Sequence, residues 1–247
     1  MAFSENWKTI MDEVADFSRH NSGIVWFRGH CNSTFSLNSG LFRLRIGNQI
    51  SEYLSLENQM FNYFKSLGYL QSLDEKDEWT IVYSMQHHGL RTRLLDWSES
   101  FLVSLFFANL GWNTGSCSIW MINPESLNAA SIGTSEIKLP TKNGFLTKHA
   151  DSNIKSRAIY PNKSNSRIVA QHGVFTVQGN SLTPLEKEFS ETLFSSNSLK
   201  RIDLTYEVRE DVLNYLKLNG INHFSLFPDL DGLSKYINDT HINPAWL

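Results

Sequence analysis

Between Met85 and Asn109 the sequence reads MQHHGLRTRLLDWSESFLVSLFFAN, which sets two His, two Arg, a Gln and an Asp against a dense apolar run. A charge buried without a partner costs several kcal/mol. Polar groups embedded this tightly among apolar residues are therefore paired, functional, or both. A second cluster, Trp26-Phe27-Arg28-Gly29-His30, ends an apolar stretch in the same way. Two such interruptions imply that both segments deliver polar groups to one shared cleft.

The pattern along the chain predicts an α+β single domain spanning residues 1–247, with small mixed or antiparallel sheets packed against several helices. Amphipathic helices are expected over Trp7–Phe17, Gln49–Leu67, Asp77–His88 and Glu207–Leu218, with a terminal helix after the turn Pro228–Gly232. Gly68 and Gly89 sit where helix ends favour a left-handed residue. Phe101–Asn109 is apolar nearly all round, so it reads as a central helix, with Ser98 as its cap. Strands are expected at Gly23–His30, at Arg93–Trp97 as a short strand or turn, and at Ser118–Ile122, Lys200–Tyr206 and Ile221–Phe227. Arg167–Ala170 and Val174–Val177 flank Gln171-His172-Gly173 and read as a bulged strand or tight hairpin. Residues 124–166 are polar, with few periodic apolar positions, and read as an insertion or long loop.

Composition bounds the rest. With 41% hydrophobic and 13% aromatic residues among 247, the chain has material for a sizeable core. A net charge of −3 argues against a broad basic face for duplex nucleic acid but leaves room for a local groove. Cys31 and Cys117 lack metal-ligand spacing, and a reducing compartment is the easier reading. The N-terminal MAFSENWKTIMDEVADF has acids early and no apolar core run, unlike a signal peptide. No segment approaches the roughly 20 apolar residues of a membrane span. The expected setting is soluble and cytoplasmic, without membrane contact. A Gly-rich phosphate loop, a His-Glu-x-x-His pair and a nucleophile elbow are all missing from the sequence.

Several side chains are candidates for chemistry. The Arg28 guanidinium is a rigid fork suited to phosphate or carboxylate, and Gly29 lets a ligand approach the backbone; the alternative is an Arg28 pair with an acid such as Asp96. Gln86 and His87 lie at a helix end, lining the cleft or capping the helix, where the dipole favours a histidine cation. Adjacent His87 and His88 diverge on a helix, so no metal site is expected. Arg93 and Asp96 form either an ion pair that locks their turn or a ligand contact. Trp97 packs in the core or stacks on a planar ring. Ser98 is a cap or a ribose contact. Asp229 and Asp231 read as turn-stabilising residues, with a catalytic role as the alternative.

Phe27-Arg28-Gly29, Gln86-His87-His88-Gly89-Leu90, Thr92-Arg93-Leu94-Leu95-Asp96-Trp97-Ser98 and Phe106-Phe107-Ala108 resemble, in order, the blocks of the FRG domain family. Gln171-His172-Gly173-Val174-Phe175 and Leu226–Leu233 continue the resemblance. The aromatic-Arg-Gly strand end also looks like the opening motif of the Arg-Ser-Glu class of ADP-ribosyltransferases. That resemblance implies a transferase-like fold with NAD as substrate. Arg28, Gly29, Gln86, Arg93, Asp96 and Ser98 are then the NAD-binding candidates. Asp96-Trp97-Ser98-Glu99-Ser100 fits the Ser-rich segment, but Gln171 stands where that class carries a catalytic Glu. An amide orients a substrate without accepting a proton. Gln171, His87 and Glu99 are the candidates for catalytic roles, with Asp96 beside Glu99 as a further source of the acid.

Two functions remain open. One is an NAD-dependent ADP-ribosyltransferase-like enzyme that passes ADP-ribose to a protein, a nucleic acid or water, by analogy a toxin or antiphage defence effector. The other is a non-catalytic module that binds a nucleotide or a protein.

Overall fold

The computed structural model describes residues 2–68, 77–140, 145, 154–163 and 165–242. In chain order the elements are α1 (Glu5–His20), β1 (Trp26–His30), α2 (Ile50–Leu67), α3 (Glu78–His87), β2 (Leu94–Ser98), α4 (Phe101–Asn109), β3 (Ser116–Ile122), α5 (Pro124–Ile132) and β4 (Arg157–Ile159). They continue as α6 (Ser166–Ala170), β5 (Gly173–Val177), α7 (Leu185–Glu188), α8 (Thr192–Ser195), β6 (Leu199–Thr205), α9 (Arg209–Leu218), α10 (His223–Leu226) and α11 (Leu230–His241). A single six-stranded sheet in the order β4-β5-β2-β1-β3-β6 replaces the several small sheets expected, and its paired strands are antiparallel.

Alternating strand residues feed cores on both faces. Phe27, Ile119, Met121, Ile202 and Leu204 pack with α1, α4 and α9 residues such as Trp7, Phe17, Phe106 and Val212. Trp26, Trp97, Trp120, Ile122, Val174 and Leu199 join Leu127 of α5, Leu185 of α7 and Leu193 of α8. Leu94, Phe175 and Val177 meet Phe61 of α2 and Ile81, Val82 and Met85 of α3.

The sheet is divided near its middle. β1 pairs with β3 from Trp26↔Ile122 to His30↔Ser118, and β2 pairs with β5 along five residues. Between β1 and β2 the register holds a single pair, Phe27↔Ser98. Beyond it the two strands splay, leaving Arg28–His30 and Leu94–Trp97 on opposite lips of an opening.

Three elements depart from expectation. Arg167–Ala170 is the helix α6 rather than a strand arm, because the Asn165 side chain caps it by accepting from Ile168 N at 2.8 Å. Ile221–Phe227, expected as a strand, contains α10, which is held by a reciprocal Asn222–Ser225 capping box. Gly68 takes φ −82 and is not left-handed, whereas Gly89 adopts φ +85 and releases α3 towards β2. Within 124–166, α5 packs beside the edge strand β4; residues 141–144, 146–153 and 164 of that range lie outside the described residues.

Candidate functional site

The opening between β1 and β2 is a cleft of about 360 Å³. β1 contributes Phe27 to His30, β2 contributes Asp96 to Ser98, and α3 contributes Tyr83, Gln86 and His87. Arg167, Gln171 and Phe175 close the side formed by α6 and β5. Phe35 and Arg43, from the segment after β1, and Phe107 of α4 complete the wall.

Arg28 spans the splay. Its Nη1 donates to the main-chain carbonyl of Asp96, and its Nε donates to His30 Nε2 at 2.9 Å. The guanidinium thus meets a β2 carbonyl at the point where the β1–β2 ladder has stopped. Its approach to the Asp96 carboxylate is long, at 3.9 Å. Burial lowers the Arg28 pKa to about 10, with Asp96 opposing and Arg43 adding to the fall, so the group stays cationic at neutral pH. Burial, reinforced by the Arg28 charge, holds His30 down to about 3. A neutral ring accepting at Nε2 carries its proton on Nδ1.

Asp96 is positioned by α3. Gln86 Nε2 donates to Asp96 Oδ2 at 2.8 Å, while Gln86 Oε1 accepts from Thr92 Oγ1 at 2.7 Å. Thr92 Oγ1 accepts in turn from Leu94 N at 3.0 Å. This chain fixes the orientation of the Gln86 amide and aims its NH₂ group at the carboxylate. The Asp96 side chain is 58% exposed and is the only carboxylate lining the cleft among the described residues.

Other expected residues find different roles. Gly29 lines the cleft, yet a β-carbon there would lie 1.9 Å from Ser104 O and 2.5 Å from Ala108 N of α4. The close approach it permits is to a helix backbone. Ser98 does not cap α4: its hydroxyl donates to Gln171 O at 2.8 Å and accepts from Ser100 N at 3.0 Å, tying β2 to the turn after α6. Trp97 is 3% exposed and donates from Nε1 to Thr176 Oγ1, a core role beside the cleft. His87 lies on the wall with its pKa lowered by burial, Arg167 and His88, opposite to the helix-dipole expectation.

Arg93 is not in the cleft. It is 1% exposed and makes a 2.6 Å ion pair with Glu57 of α2, and its main-chain N–H donates to the other Glu57 oxygen at 2.9 Å. The expected Arg93–Asp96 pair is ruled out by strand geometry, since residues an odd number apart face opposite sides. Glu99 also lies outside the lining and pairs with Lys163 at 3.2 Å. Gln171 reaches the cleft from the end of α6, but its Nε2 is committed to Leu226 O at 3.0 Å. Asp229 caps α11 by accepting from Gly232 N, as the turn reading predicts.

Sequence reasoning anticipated His30, as the end of the Trp26–His30 cluster, but missed Arg43, Arg167 and Phe35 as wall residues. Arg43 sits in a stretch without periodic pattern, and Arg167 was assigned to a strand. With Arg28 they set three guanidinium groups against one carboxylate, in a chain whose overall charge is −3.

Comparison with known families matches the FRG domain model to residues 23–114. These residues, a little over a third of the chain, are similar to the FRG domain. The match runs from just before β1 to just beyond α4, so the FRG segment supplies Arg28, Gln86, Asp96 and Ser98, one side of the cleft and both lips of the splay. The far wall, Arg167 to Phe175, lies beyond the matched residues. No curated protein and no solved structure shows a significant match. Among the described residues no group of His, Cys, Asp and Glu is arranged to hold a metal ion, and no helix is long and apolar enough to cross a membrane.

Proposed function

We propose that the cleft binds NAD and that the protein acts on it as an ADP-ribosyltransferase-like enzyme. It would release nicotinamide and pass ADP-ribose to an acceptor or to water. The observation that carries this reading is the charge of the wall: Arg28, Arg43 and Arg167 line the cleft together with a single carboxylate among the described residues. The imbalance of two positive charges matches a diphosphate, which Arg forks bind well. Phe35 and Phe107 offer ring faces and edges for a base or nicotinamide. The volume falls within the roughly 300–1,000 Å³ range of small-molecule sites.

In this scheme Asp96 faces the positive charge that develops on the ribose as the nicotinamide bond breaks, and Gln86 holds it there. Arg28 binds phosphate through the N–H groups not committed to His30 and Asp96. An NAD-consuming activity of this kind fits a toxin or an antiphage effector.

A second reading has its own support. Gln171 is an amide that donates to Leu226 O, and Glu99 turns to Lys163, so neither position brings a carboxylate to the cleft. That favours a nucleotide-binding module without turnover. Incubating the purified protein with NAD separates the two. Nicotinamide release that disappears in Asp96→Asn supports the enzyme; thermal stabilisation by NAD or ADP-ribose without release supports the module. Neither effect at millimolar nucleotide would remove both.

A further inference from the structure

The sequence from Phe17 to Ser51 contains no Asp or Glu, although the whole chain has 25 acids and a net charge of −3. The stretch includes β1 and the segment after it, which forms one side of the cleft mouth. Phe35 stands there 46% exposed while lining the cleft, edge-on to His30 at 6.1 Å between ring centres. Nearly half of this aromatic residue is open to solvent at a polar mouth.

Guanidinium groups flank it. Arg43 donates from Nε to Ser39 O at 3.3 Å, and among the described residues it forms no ion pair. Its pKa is lowered by burial and then by the charge of Arg91, so the two cations are close enough to repel. Arg91 lies against Gly40, where a β-carbon would sit 3.2 Å from Arg91 Cδ. On the other side Arg201 donates from Nη1 to Ser33 O at 3.4 Å and lies 5.5 Å over the Trp120 ring. Acids near this segment are Asp203, paired with Arg201 at 2.9 Å, Glu186, which accepts from Leu37 N at 3.0 Å, and Asp96 inside the cleft.

We infer that Phe35, Arg43, Arg91 and Arg201 form a binding surface for single-stranded nucleic acid. Backbone phosphates are recognised by arginines along a groove, and unpaired bases by stacking on exposed aromatic rings. A duplex hides its base faces, and the net negative charge of the protein opposes a broad duplex footprint. An acidic peptide would satisfy the arginines but leave Phe35 without a flat partner. The binding is measured without NAD, so it and the NAD reading can each fail alone.

The test is fluorescence anisotropy with a labelled single-stranded oligonucleotide of about 12 nucleotides. Binding is expected at low salt, with an affinity falling as roughly the second power of salt concentration if three phosphates are contacted. Arg91→Glu, at an exposed position outside the cleft lining, should weaken it about tenfold or more, and Phe35→Ala about fivefold or more, with melting temperatures unchanged. NAD-induced thermal stabilisation should persist in Arg91→Glu. Absence of oligonucleotide binding at low salt, or binding that Arg91→Glu leaves intact, would overturn the inference. Equal competition by polyglutamate would overturn it in favour of an acidic protein partner.

Discussion

Arg28 Nη1 donates to the main-chain carbonyl of Asp96, 68 residues away, across the gap where β1 and β2 stop pairing. One side chain thus closes the hydrogen bonding of a divided sheet while keeping its charge in the cleft. Structure and ligand recognition meet in that group, so its replacements should separate them. Arg28→Lys keeps a charge but loses the planar fork that reaches both His30 and Asp96. We expect Arg28→Lys to weaken NAD or ADP-ribose binding by about 10- to 100-fold and to cost about 1–3 kcal/mol of stability. Isothermal titration and denaturant unfolding measure the two. Retained affinity in Arg28→Lys would argue that Arg28 is structural only.

Asp96 is the cleft carboxylate, and Gln86 holds it by one hydrogen bond to Oδ2. Asp96→Asn preserves size and leaves an oxygen to accept from Gln86, but removes the charge. Nicotinamide release should fall by about 10²- to 10⁴-fold while nucleotide binding stays within a few-fold of the parent. Gln86→Ala should lower turnover less, since Asp96 would keep its charge and lose only its orientation. A rate unchanged in Asp96→Asn would move the chemistry to another group.

Gly29 separates packing from ligand contact. Because a β-carbon at Gly29 would collide with the α4 backbone, Gly29→Ala must push α4 away from β1. A loss of about 1–3 kcal/mol or more is expected, seen as a lower midpoint in urea. A protein of undiminished stability that had lost nucleotide binding would restore the ligand role.

His30 supplies a pH signature. Its folded pKa is depressed to about 3, below the ordinary value of 6.5. The unfolded chain therefore binds the proton more readily between these values. The stability from a neutral His30 is fully present above about pH 6.5 and is lost as pH falls towards 3. Acid should also break the Arg28–His30 contact, because a protonated ring no longer accepts from Arg28 Nε. Melting temperatures from pH 7 to pH 4 should fall less steeply in His30→Gln than in the parent. Parallel curves would show that His30 titrates normally.

The helices and the central strands were legible because their signals are local. α4 was read from apolar residues on every side, and α3 from the acidic start and glycine stop around it. α6 and α10 were not, because their β-branched or aromatic residues suit strands, and the Asn165 and Asn222 caps decide the outcome. The convergence of Arg28, Gln86 and Asp96 could be anticipated, since each interrupts an apolar run. Arg43 and Arg167 could not, since neither interrupts a pattern and their approach to the cleft depends on tertiary placement. The single residue pair joining β1 to β2, which makes the cleft, leaves no mark in the periodicity of either strand.

Arg93 and Glu57 give a control for all of these. Arg93 lies in the same sequence block as Asp96 and pairs with Glu57 of α2, yet both are nearly inaccessible and lie outside the cleft lining. Burial drives the Glu57 pKa up and the Arg93 charge pulls it back, so each group depends on the other. Arg93 also stacks over Phe145 at 5.0 Å and donates to Asn180, which ties β2 to two distant segments. Removing one partner strands a buried charge. Glu57→Gln should cost about 3–5 kcal/mol, with no change in nucleotide affinity per folded molecule. Replacing both, as Glu57→Leu with Arg93→Met, should recover part of that loss, because two apolar groups leave no charge without a partner. Calorimetric melts of the single and double variants give the comparison. A double variant no more stable than Glu57→Gln would mean that the hydrogen bonds to Asn180 and to the Arg93 backbone, rather than the ion pair, hold this side of the sheet.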